Sequence, residues 1–115
     1  MGGIMTDGWW IINLRHFLDE EGHIAPASGP ARRLAEFLVA IVAMTSLPES
    51  VTPTTYQVRC RRRPGRKPCP GYIVSGIDPE DEVILWICPV CGDKGTIEHW
   101  QGTIWDLSKR GNQSH

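Results

Sequence analysis

The sequence predicts an α+β fold, with helical segments in the N-terminal half followed by a small antiparallel β unit. Two observations point there. Leu34, Phe37, Leu38, Ile41 and Val42 recur at i, i+3, i+4, i+7 and i+8, the spacing of one helical face. Further along, residues 56–59 (YQVR) lead into Cys60 and residues 82–87 (EVILWI) lead into Cys88. Each run is followed by a returning β-like run, so two cysteine-bearing hairpins are expected. A length of 115 residues with 41% hydrophobic content suits one compact domain or two very small ones. The core is modest at that size, so a covalent or metal staple adds to it.

The first helix is expected over about residues 8–20. Asp7 precedes WWIINLRHFL, in which Trp10, Leu14, Phe17 and Leu18 fall at helical spacing, and Gly22 after an acidic run is a stop signal. A strand over residues 9–13 is the alternative, because aromatic and β-branched residues favour one. The second helix is expected over 30–47, since Gly29 followed by Pro30 is a start signal and Pro48 ends the run. Its apolar stripe must be covered by the chain's own core, or by a second copy in a homodimer formed through helix 30–47. The segment PESVTPTT, residues 48–55, marks a boundary between a helical part, 1–50, and a β part, 56–107. Within that β part, GYIVSGI (71–77) returns after the first cysteines and GTIEHW (95–100) after the second. A turn and a short terminal strand follow over 100–106.

Charge is placed unevenly although the net charge is only −1. Residues 1–58 hold three Lys/Arg against six Asp/Glu, and residues 59–115 hold nine against seven. The most apolar segment, 34–47, is shorter than the roughly 20 residues a membrane helix needs and contains Glu36. No cationic start with an apolar run and cleavage site opens the chain, so export is not expected and a cytoplasmic location is. In a reducing compartment four cysteines point to metal ligation more than to disulfides.

Cys88-Pro89-Val90-Cys91-Gly92 has the spacing that lets two sulfurs converge on one ion, with Pro and Gly supporting a tight turn. Cys60 and Cys69 are separated by eight residues, not two to four, so their loop lacks that preset geometry. Four-cysteine ligation by Cys60, Cys69, Cys88 and Cys91 is the preferred set. His99 is the substitute if a cysteine of the first pair does not bind, and disulfides or free thiols are the remaining alternative.

Residues 56–100 resemble a zinc ribbon. The longer pattern RCRRRPGRKPC, WICPVCGDKG and HWQGTIWD is similar to that of small bacterial proteins with a helical N-terminal part, for which no activity is established. The resemblance implies one structural Zn2+ held by Cys88 and Cys91 together with Cys60 and Cys69. Kinship of fold transfers no activity.

Between the first two cysteines, CRRRPGRKPC gathers five of the twelve basic residues. As a nucleic-acid contact, Arg59, Arg61, Arg62, Arg63, Arg66 and Lys67 would lie on phosphates, with nearby tryptophans as stacking surfaces. As a structural feature, the same cations would offset the negative charge of a zinc–thiolate centre or pair with Asp78, Glu80, Asp81 and Glu82. The five tryptophans are expected mainly in the core, with a protein-binding patch as the rival reading. No nucleotide-binding glycine loop, nucleophile elbow or open metal-ligand set occurs, so no enzyme is expected. A redox CxxC normally opens a helix, whereas a strand pattern follows this one. The expected function is a small zinc-stabilised binding or interaction module. Its partner is more readily a protein than nucleic acid, with a nucleic-acid-binding regulatory protein as the alternative, and chelation is expected to unfold residues 56–105 while sparing the helices.

Overall fold

The computed structural model describes residues 3–6, 9–47 and 57–108. The boundary segment 48–55, Gly8 at the start of the expected first helix, and Tyr56 lie outside the described residues. Five strands and one α-helix are present among them: β1 (Gly3–Thr6), β2 (Trp9–Asn13), α1 (Pro30–Ser46), β3 (Val74–Ile77), β4 (Ile84–Ile87) and β5 (Lys94–Glu98). The strands form one sheet in the order β1-β2-β5-β4-β3.

The fold is therefore α+β, and it departs from expectation first in the N-terminal helix and then in the sheet. The helix expected over 8–20 is absent. Its first half is β2, and its second half is a 3-10 turn, Leu14–Phe17, capped by Asn13, whose side-chain oxygen accepts the Arg15 N–H at 3.0 Å. The run WWIIN carries the β-favouring residue types, and here tertiary pairing decides: β2 is flanked on both sides, by β1 antiparallel and β5 parallel. Trp10, Leu14, Phe17 and Leu18 still reach the core, because a strand followed by a tight turn delivers them there much as a helix would. The sheet is, second, not purely antiparallel. The β2–β5 pair is parallel, while β4 pairs antiparallel with both β3 and β5. Strands from both sides of the 48–55 segment thus share one sheet.

Register explains the core. Ile12, Ile97, Ile84 and Ile77 stand side by side across four strands, and the first three are buried. The next row is Trp10, Gly95, Trp86 and Ser75. Alternation along each strand puts both rows on one face, and α1 covers that face. Phe37 of α1 meets the Trp86 ring edge-on at 5.4 Å, and Thr45 shares a 2.6 Å hydrogen bond with Ser75. Ala35, Leu38, Val39, Ile41 and Val42 are buried as well, so the apolar stripe of α1 is covered by the chain's own sheet. α1 begins at Pro30 and stops at Ser46, one residue short of the expected end.

Residues 100–108 form turns, and the short terminal strand expected there is not made. Instead Trp100 and Trp105 are fixed by their indole N–H groups. Trp100 donates to the Glu82 carbonyl at 2.8 Å and Trp105 to the Gly22 carbonyl at 2.9 Å, which ties this segment to the turn before β4 and to the turn at Gly22. Trp86 and Trp100 are buried, and Trp10 and Trp105 pack against the core. Among the described residues no helix is long and apolar enough to cross a membrane.

Candidate metal centre

The four cysteines meet at one end of the β3–β4–β5 sheet. Cys60 is positioned by a short antiparallel contact in which its N–H bonds the Gly71 carbonyl at 2.9 Å and the Ile73 N–H bonds the Val58 carbonyl at 2.8 Å. The eight-residue loop to Cys69 is closed from within: the Cys69 N–H reaches the Arg62 carbonyl at 2.9 Å, and Pro64–Arg66 makes a 3-10 turn with Gly65 at φ 64°. These bonds supply the geometry that the spacing alone does not. The second loop is tighter. The Cys88 N–H bonds the Asp93 carbonyl at 2.7 Å and the Gly92 N–H bonds the Cys88 carbonyl at 2.9 Å, with Gly92 at φ 84°, where a side chain would be strained.

Each loop gives one sulfur to each close pair. The Sγ atoms of Cys60 and Cys91 are 3.6 Å apart, as are those of Cys69 and Cys88, and all four lie within 4.8 Å of one another. A disulfide needs about 2.05 Å, so these are four thiols. With a Zn–S bond of about 2.3 Å, a tetrahedral site places its sulfurs about 3.8 Å apart. The two close pairs match that edge, and the donor set is four sulfurs, so the residues fit a tetrahedral thiophilic ion. Cys60, Cys69 and Cys88 are buried and Cys91 is exposed, so the centre lies at the surface on one side only. His99, the proposed substitute, is not in this group and lines a groove with Glu98 and Gln101.

Gly71 permits the approach of the two loops, a role the sequence signalled only as a glycine two residues beyond Cys69. A Cβ there would stand 2.6 Å from Cys88 Sγ and 2.9 Å from Val90 Cγ2. Backbone amides also shape the acidity of the thiols. Burial opposes ionisation of Cys88, yet the Cys91 and Val90 amides and the other sulfurs hold it down at about 7. For Cys60 burial dominates and pushes the thiol up to about 12. The Gly71 N–H, 3.5 Å from Cys69 Sγ, favours the thiolate of Cys69, but burial and the Cys88 sulfur outweigh it and leave that thiol above its ordinary value.

A pH dependence follows from these directions. A metal ion binds thiolates, so it must displace the protons of Cys60 and Cys69 at any pH below their raised values, and that of Cys88 as well below about 7. Zinc affinity is expected to fall at least about a hundredfold per pH unit from 8 to 7 and more steeply below. Competition against a zinc-binding dye at pH 6, 7 and 8 measures this. A change under about tenfold per unit would speak against a thiolate donor set.

The basic residues are placed around this centre. Arg59, Arg61, Arg62, Arg63, Arg66 and Lys67 are all exposed. The Arg59 guanidinium lies 5.7 Å from the centre of the half-exposed Tyr72 ring, and that of Arg61 lies 5.8 Å from the Phe37 ring. Pairing with the acidic run 78–82 does not occur: among the described residues the ion pair formed is Arg32–Glu36, at 3.3 Å. Asp78 instead caps its own turn, accepting the Glu80 N–H at 2.8 Å. That turn lies beyond the far end of β3, about 13 Å from the metal end at about 3.3 Å per strand residue.

A second group, Asp19, Glu21 and His23, is exposed; there the Asp19 carboxylate accepts the Glu21 and His23 N–H groups and serves as a turn cap. Compared with protein-family models, curated proteins and solved structures, the chain matches none.

Proposed function

We propose that the protein is a small, zinc-stabilised recognition module of the zinc-ribbon type, cytoplasmic and without catalytic activity. Four sulfur donors from two loops support a closed structural site, in which Cys60, Cys69, Cys88 and Cys91 hold the ion and no coordination position is left for a substrate. Zinc when bound supplies crosslinking of the two loops. The free thiols suit a reducing compartment.

The observation that carries a choice of partner is the separation of charge. Six exposed cations surround the metal end without an acidic partner among the described residues, while the carboxylates of 78–82 stand at the opposite end of the β3–β4 hairpin. A slightly negative chain thereby presents a concentrated basic surface. That layout supports a polyanionic partner, nucleic acid first, over neutralisation within the fold. Exposed apolar side chains on the sheet and its loops, Ile11, Val74, Ile87 and Val90, support the second reading, a protein partner.

Fluorescence anisotropy with labelled 20-nucleotide single-stranded and duplex DNA and RNA tests the choice. Binding is expected to weaken steeply between 50 and 200 mM salt. Changing Arg61, Arg62 and Arg63 to Ser is expected to reduce the slope of log K against log salt by about 2 to 3, from roughly 0.7 to 0.9 per phosphate contact. Absence of binding at low salt, or an unchanged slope in the variant, refutes the nucleic-acid reading. A nuclease-insensitive pull-down would then favour a protein partner.

A further inference from the structure

Beside the metal end lies a cavity of about 60 Å³ whose walls include Trp10, Phe37 and Trp86 and whose rim carries Arg61, Arg62 and Asp93. It is a different feature from the sulfur cluster and from the outer cations of the loop. The walls are aromatic side chains of β2, α1 and β4, anchored by the Phe37–Trp86 edge contact, and so are part of the core. The rim belongs to the two cysteine loops. Such a combination, a rigid apolar pocket with a few polar groups converging at its mouth, is the ordinary construction of a small-molecule site.

We propose that this cavity binds a small planar monocarboxylate, with its carboxylate on Arg61 and Arg62 and its apolar body against Trp10, Phe37 and Trp86. The volume admits a group of a few heavy atoms. Charge selects the ligand class. Two guanidiniums against the single carboxylate of Asp93 leave one net positive charge at the mouth, and neither guanidinium is paired with a carboxylate among the described residues. One unit suits a monoanion. A phosphate dianion would face an uncompensated charge beside Asp93 and beside a zinc–thiolate centre of net charge −2. The planar fork of arginine matches a carboxylate edge, and Arg61 is already held over the Phe37 ring. The inference does not need the nucleic-acid reading, which involves Arg63, Arg66 and Lys67 equally.

The test uses the full-length zinc-loaded protein titrated with acetate, a planar monocarboxylate of the size the cavity admits, followed by tryptophan fluorescence and by the indole N–H resonances. Trp86 is a useful reporter, because its Nε1–H has no hydrogen-bond partner among the described residues, whereas those of Trp100 and Trp105 are bonded to carbonyls. Saturable binding in the millimolar range is expected for a ligand of this size. Acetamide, which has the shape without the charge, and inorganic phosphate should each bind at least about tenfold more weakly. Arg61→Gln and Arg62→Gln should each weaken acetate by about tenfold or more at unchanged zinc content, while Arg66→Gln, outside the rim, should leave it unaltered. Unsaturable response, equal affinity for acetamide, phosphate binding as tight as acetate, or an equal loss in Arg66→Gln would each overturn the proposal.

Discussion

Removing zinc from the loaded protein with excess chelator is expected to lower its melting temperature by about 16 °C and to unfold α1 together with the sheet. An ion present at a thousand times its dissociation constant stabilises the folded state by about 4 kcal/mol, and about 4 °C per kcal/mol applies to a domain of this length. The topology determines what melts. From the sequence, the helical part looked separable from the cysteine-bearing part. In the fold, β2 is paired with β5, and α1 rests on β3 and β4 through Phe37 and Thr45. An ion held by the four sulfurs would fix the loop before β3 and the loop between β4 and β5, so its loss would free both hairpin strands that α1 covers. Circular dichroism at 222 nm and the near-ultraviolet tryptophan signal should therefore fall in one transition. Cys88→Ser should reproduce the chelated protein and gain nothing from added zinc, since Cys88 is fully buried among the sulfurs. Helical signal that survives chelation at its original melting temperature would show that the metal does not hold this fold.

Much of this was legible in the residues, for identifiable reasons. The stripe of α1 is a local pattern bounded by Pro30 and Pro48, and local patterns need no knowledge of the rest of the chain. The strands β4 and β5 are likewise marked by their own side chains, and the spacing of Cys88 and Cys91 reports a tight turn directly. The identity of β2 was legible only as the alternative to a helix, carried by the aromatic and β-branched residues of 9–13. Trp10, Leu14, Phe17 and Leu18 satisfy a helical period, and the information that residues 9–13 pair with 94–98 is held in neither segment alone. The convergence of Cys60 and Cys69 was expected from the count of four thiols but not from their spacing, because the bond from Cys69 to the Arg62 carbonyl that closes their loop involves backbone groups the sequence does not announce. Charge placement misled for a related reason. The run 78–82 follows the basic loop closely along the chain, but a β-hairpin carries its turn to the end of the sheet remote from its origin.

Substituting Gly95 by alanine is expected to cost about 3 kcal/mol, whereas the same change at Gly76 is expected to be neutral or to stabilise by up to about 1 kcal/mol. Both glycines lie in strands, and neither has a positive φ, so backbone freedom does not separate them. Space does. A Cβ on Gly95 would come within 2.8 Å of both the Trp10 carbonyl oxygen and Trp86 Cζ2, and within 2.9 Å of Trp86 Cε2. The carbonyl belongs to the neighbouring strand of a central parallel pair and cannot retreat without breaking ladder bonds. The indole is wedged on its other side by Phe37. Gly95 is thus the gap over which Trp86 lies, and filling it pushes the ring into α1 or pushes β2 away from β5. At Gly76 a Cβ meets nothing within 4 Å, so alanine there only removes conformational freedom from the unfolded chain. Chemical denaturation of the two zinc-loaded variants beside the parent protein measures both. Equal stabilities for Gly95→Ala and Gly76→Ala would mean that Trp86 does not pack across β5, and the face on which α1 sits would have to be assigned anew.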